Sequence, residues 1–67
     1  MQIILNNNLE SFDNEKLTVN ELLEKKNFTF KMLVIKINGK LIPKDRYDST
    51  LINNGDNVSV LHLISGG

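Results

Sequence analysis

The chain has 67 residues, with eight Lys or Arg against eight Asp or Glu, one histidine and no cysteine. That length makes one domain, 1–67, with no room for a second core; without cysteine there is no disulfide staple, and His62 alone cannot anchor a metal site. Zero net charge, with no basic cluster beyond Lys25-Lys26, argues against generic nucleic-acid binding, which needs a concentrated positive face.

From the N-terminus, Met1 to Leu5 reads as a strand, Asn6-Asn7-Asn8 as a turn, and Leu9 to Phe12 as the returning strand of a hairpin. Asparagine suits such a turn because it tolerates left-handed backbone angles. Thr18 followed by Glu21 is a capping box, and Leu17 with Leu22 has the spacing of a hydrophobic staple. Val19, Leu22 and Leu23 mark one apolar face, while Asn20, Glu21, Glu24 and Lys25 lie off it. Lys25-Lys26-Asn27 supplies the positive charge and αL-tolerant residue that suit a helix C-terminus. The segment predicts one short helix from Thr18 to Lys26.

Met32 to Ile37 follows as a β-branched strand, and Asn38-Gly39 offers the two positive-φ positions of a type I′ hairpin turn. Lys40 to Ile42 returns briefly until Pro43 stops it or confines it to an edge. Lys44 to Asn53 reads as irregular, with Leu51 as its core plug. Asn54-Gly55-Asp56 then turns the chain into a last strand, Asn57 to Ser65, that closes on Gly66-Gly67. A helix must bury its stripe on a sheet, and a right-handed crossover sets the first and last strands parallel at the centre. The expected fold is α+β: a β-grasp (ubiquitin-like) mixed sheet of about five strands on one helix, with a flexible Gly-Gly tail. Nothing at the N-terminus reads as a signal peptide and no apolar run is long enough for a membrane span, so a soluble cytoplasmic domain is expected.

With that order, the chain resembles the sulfur carrier proteins of thiamine biosynthesis (ThiS-like), a ubiquitin-like family. The resemblance covers essentially the whole sequence. It rests on Met1-Gln2-Ile3, Leu17-Thr18-Val19-Asn20-Glu21-Leu22-Leu23, Ile37-Asn38-Gly39-Lys40-Leu41-Ile42-Pro43, Asn54-Gly55-Asp56 and Gly66-Gly67. After the proline, where the family usually has arginine, stands Lys44, a positive contact without a bidentate fork. The resemblance implies that an ATP-dependent adenylating (activating) enzyme, consuming ATP with magnesium, activates the Gly67 carboxylate. A sulfur donor such as a cysteine desulfurase persulfide would then convert it to a thiocarboxylate, and thiazole synthase would use the sulfur for the thiazole moiety of thiamine. Gly66 would serve as the slender tail, glycine being free of a Cβ that could obstruct a narrow channel. Such a carrier is a protein co-substrate with no catalytic residue and no bound cofactor or metal, and its partners include neither nucleic acid nor membrane. Two other readings stay open: a molybdopterin-synthase small-subunit-like carrier, whose relatives are generally longer, and a non-covalent ubiquitin-like interaction module.

The remaining polar residues read as structural. His62 has no second catalytic candidate beside it, and Asp45, Arg46, Tyr47 and Asp48 are better explained as a solvated loop with an aromatic anchor. Lys44 and Arg46 serve equally well as partner contacts or as solvated surface, and the spacing of Glu10, Asp13 and Glu15 suggests no metal site. Strand alternation places Ile3, Leu5, Ile35, Ile37, Val58 and Val60 toward the helix. The opposite phase carries Ile4, Val34, Lys36, Ser59, Leu61 and Leu63. Ile4, Val34, Leu61 and Leu63 are apolar where a free one-sided sheet would be polar, so they are the expected partner-docking surface.

Overall fold

The computed structural model describes residues 1–29 and 31–63. Strands β1 (Gln2–Leu5) and β2 (Asn8–Ser11) form the first hairpin, and β3 (Leu17–Thr18) leads directly into helix α1 (Val19–Lys25). Next come β4 (Leu33–Ile37), β5 (Lys40–Ile42), a 3-10 turn at Lys44–Arg46, β6 (Leu51–Ile52) and β7 (Asn57–His62). The main sheet has five strands in the order β2-β1-β7-β4-β5, and β3 pairs separately with β6. β1 and β7 run parallel at the centre, while β2, β4 and β5 each join antiparallel to a neighbour. The mixed β-grasp sheet inferred from the sequence is therefore present.

The helix ends are specified locally. Thr18 Oγ1 accepts the Glu21 N–H at 3.1 Å, and the Glu21 carboxylate accepts the Thr18 N–H at 2.8 Å, completing the capping box. Leu17 and Leu22, the two ends of the staple, are both fully buried. At the other end Asn27 takes a φ of 57°, its N–H donates to the Glu24 carbonyl, and the Phe28 N–H donates to the Leu23 carbonyl. Those are the two bonds of a Schellman motif, with asparagine in glycine's usual place. Asn6, Asn7 and Asn38 take φ values of 50°, 69° and 51°, and Gly39 follows at 83°, so the asparagine-rich segments form the hairpin turns.

Val19, Leu22 and Leu23 of α1 meet Ile3 and Leu5 of β1, Ile35 of β4 and Val58 of β7 in one core. Ile37 and Val60 are half-buried against it, as the predicted strand phase requires. Leu51 corrects the sequence reading: it is 47% exposed, and the core is plugged by Ile52 at 0% and Tyr47 at 7%. The cause is the antiparallel pairing of Leu51–Ile52 with Leu17–Thr18, since adjacent strand residues face opposite sides and Ile52 lies opposite the buried Leu17. Residues 44–53 are consequently more ordered than the irregular loop expected. The Thr50 carbonyl accepts the Val19 N–H at 3.1 Å and the Tyr47 carbonyl accepts the Asn20 N–H at 3.2 Å, satisfying donors that the first helical turn leaves open.

Candidate functional site: the end of the last strand

β7 occupies the middle of the sheet, flanked by β1 and β4. β1 ends at Leu5, short of the end of β7, and the Asn6 side chain takes over the pairing. Its Nδ2 donates to the Val60 carbonyl at 3.2 Å and its Oδ1 accepts the Val60 N–H at 2.8 Å. One side-chain amide thus does the work of a strand residue. On the other flank Val34 lies opposite Leu61 and Leu33 opposite His62, and beyond the strand the Leu63 N–H donates to the Met32 carbonyl at 2.9 Å. The chain is therefore held to the sheet on one side through Leu63, four residues before Gly67. Ile64 and Ser65 of the expected strand, and the expected Gly66-Gly67 tail, lie outside the described residues.

At the opposite end of β7, the Asn54-Gly55-Asp56 turn sets the parallel pairing. Gly55, at a φ of 87°, donates its N–H to the Gln2 carbonyl at 2.7 Å; the Gln2 N–H donates to Asn54 Oδ1 and the Ile4 N–H to the Asp56 carbonyl. Asp56 in turn accepts the Asn53 N–H at 2.8 Å and Asn38 Nδ2 at 3.1 Å. These residues tie three chain segments together and so aim the last strand.

The four apolar residues singled out on the outer face are placed as follows. Leu61 is 55% exposed and Leu63 42%, while Ile4 and Val34 are half-buried. Two further leucines join that face: Leu9, opposite Ile4 in β2, is 64% exposed, and Leu41, opposite Lys36 in β5, is 58% exposed. The Leu9 position could have been read from the first hairpin, because the turn fixes which residues of β1 and β2 face each other. The other sequence candidates are placed separately along the chain. His62 ends β7 as an exposed residue, Tyr47 is in the core, and Asp45, Arg46 and Asp48 are exposed around it. Burial raises the Tyr47 hydroxyl above its ordinary pKa, which keeps it neutral. Glu10 forms an ion pair with Lys26 at 3.1 Å, tying β2 to the helix. Among the described residues no metal-holding group of His, Cys, Asp or Glu gathers, and no helix is long and apolar enough to cross a membrane.

β7 is thus paired on both flanks as far as Val60 and held by the β4 side through Leu63, beside the apolar outer face. Residues 3–67 match the sequence model of the ThiS family. The chain belongs to the ThiS family. Its fold is similar to the crystal structure of the thiamine biosynthesis protein ThiS from Geobacter metallireducens, with a TM-score of 0.89 and 28% identity over 100% of both chains. A solution structure of a thiamine biosynthesis protein from the same organism gives a TM-score of 0.80 at 28% identity, covering 100% of this chain and 88% of that one. The uncharacterized protein ycf40 of Porphyra purpurea is 34% identical over 53 residues, 79% of this chain and 75% of that protein. Membership of the ThiS family supports the role of a small sulfur carrier in thiamine biosynthesis.

Proposed function

We propose that this protein carries sulfur on the carboxyl carbon of Gly67 and delivers it for assembly of the thiamine thiazole. The supporting observation is the family match, which runs through residue 67 and so includes the glycine pair. A carboxylate resists attack until one oxygen becomes a good leaving group. An activating enzyme supplies one by joining the Gly67 carboxylate to AMP from ATP and releasing pyrophosphate. The terminal sulfur of a persulfide then displaces AMP, forming an acyl disulfide. A thiol cleaves that S–S bond, leaving as a mixed disulfide with the donor and freeing the Gly67 thiocarboxylate. Thiazole synthase receives this sulfur as a nucleophile. The carrier contributes no acid or base of its own; its work is to present one end to successive enzymes.

The outer face with Ile4, Val34, Leu61 and Leu63 is the docking surface in this scheme. It adjoins the exit of the chain from the sheet, so a partner resting on it lies beside the start of the segment that it must accept. Pyrophosphate exchange tests the first chemical step. With ATP and the adenylating enzyme of the same organism, the intact chain should promote exchange of pyrophosphate into ATP, and the chain lacking Gly67 should not. Equal exchange by both would refute the assignment of Gly67.

A further inference from the structure

The end of the sheet opposite Leu63 holds a groove for which the tail chemistry has no use. It lies between β5 and β6, has a volume of about 710 Å³, and is lined by Ile37, Leu41 and Leu51 with Lys40 and Arg46 at its rim. Leu41 and Leu51 are 58% and 47% exposed. Among the described residues β5 ends the sheet order and pairs only with β4, which leaves its second edge open to them. In a two-residue hairpin the pair flanking the turn, here Ile37 and Lys40, exchanges backbone bonds, so the next residue, Leu41, directs its N–H and C=O away from β4. Extended segments add to such edges.

The charge around the groove is net positive. The charged residues lining it are two cations, Lys40 and Arg46, and one acid, Asp56, with Lys44 and Asp45 in the segment just before Arg46. The acid lining the groove, Asp56, is engaged with the Asn53 N–H and Asn38 Nδ2. Lys40, Lys44 and Arg46 form no ion pair among the described residues, where Lys26–Glu10 is the ion pair present. Open backbone, an apolar floor and unneutralised cations together describe a complementary ligand, which is extended, carries an apolar side chain and is acidic.

We propose that this groove docks an extended acidic segment of a partner protein, which pairs with the free edge of β5, rests an apolar side chain on Leu41 and Leu51, and meets Lys40 and Arg46 with its carboxylates. The inference does not depend on the chemistry at Gly67. A partner seated there stays at the far end of β7 from Leu63 and leaves the outer-face Leu61 and Leu63 accessible. One protein can then hold the carrier while another receives its end.

The test is a titration of the isotope-labelled full chain, followed by amide chemical shifts, with an end-blocked peptide of alternating glutamate and valine. The same peptide with lysine in place of glutamate is the control. The acidic peptide should give saturable shifts at Leu41, Arg46 and Leu51, slow the exchange of the Leu41 amide, and bind less tightly as salt is raised. Lys40→Glu with Arg46→Glu should weaken it by about tenfold or more, a change of about 1.4 kcal/mol or more. Both residues are exposed, and the variant's own spectrum reports whether it is folded; if it is not, the salt dependence of the unmodified chain still decides. Equal binding of the basic peptide, salt-independent binding, or an unaffected folded double variant would overturn the proposal. So would shifts centred on Leu61 and Leu63. Groove shifts produced by concentrating the protein without peptide would assign the site to a second copy of the chain and likewise overturn it.

Discussion

At Tyr47 a phenol sits in the core with 7% of its surface exposed, and burial raises its pKa. The unfolded chain would ionise this group near the ordinary value of about 10, before the folded chain does. Its contribution to stability is therefore complete below that pH and is lost as pH rises through the folded pKa. Denaturant unfolding between about pH 9 and 11 should show stability falling less steeply for Tyr47→Phe than for the unmodified chain. Identical slopes would mean that the phenol is not shielded in the folded state. Residues such as Thr18, Asn27 and Asn38 were legible in the sequence because each carries a local signature: a cap, an αL stop, a type I′ turn. Tyr47 was legible only as an anchor; that its carbonyl also accepts a helical N–H depends on contacts distant in sequence.

The helix, both hairpins and the central parallel pair could be read from periodicity and turn chemistry, but the β3–β6 pair could not. A strand of two residues is too short to show alternation, so nothing in Leu51-Ile52 alone said which side chain faces inward. The pairing with Leu17–Thr18 decides it. Ile52→Ala should cost roughly 2–5 kcal/mol, the range for truncating a buried aliphatic side chain. Leu51→Ala, at a half-exposed position, should cost much less. For a chain of this length, with stability on the order of 0.05–0.15 kcal/mol per residue, the first change alone threatens the fold. Urea midpoints of the two variants check this, and a reversed order would mean that the register of β6 is wrong. The last strand fared better. Six residues with alternating character allowed its two faces to be assigned, and Val58 proves buried while Leu61 is exposed.

For the molecule as a whole, the helix covers one side of the sheet and the apolar outer face runs along β7 to Leu63. If that face is the docking surface, Leu61→Asp should weaken direct binding to the activating enzyme markedly while shifting the denaturation midpoint little, because Leu61 is largely exposed already. Unchanged affinity would remove the face from the account. The outer-face leucines could be placed from strand phase, whereas the basic groove beside β5 could not, since it is built by segments that meet only in the fold. Intact-mass spectrometry of the protein isolated from its own cells, after mild handling that preserves thioacids, reads the chemical state of Gly67 itself. A fraction should be heavier than the plain chain by the difference between sulfur and oxygen, with fragmentation placing the added mass on Gly67. A homogeneous unmodified chain from cells actively making thiamine, or sulfur located on any other residue, would contradict the assignment of the sulfur to Gly67.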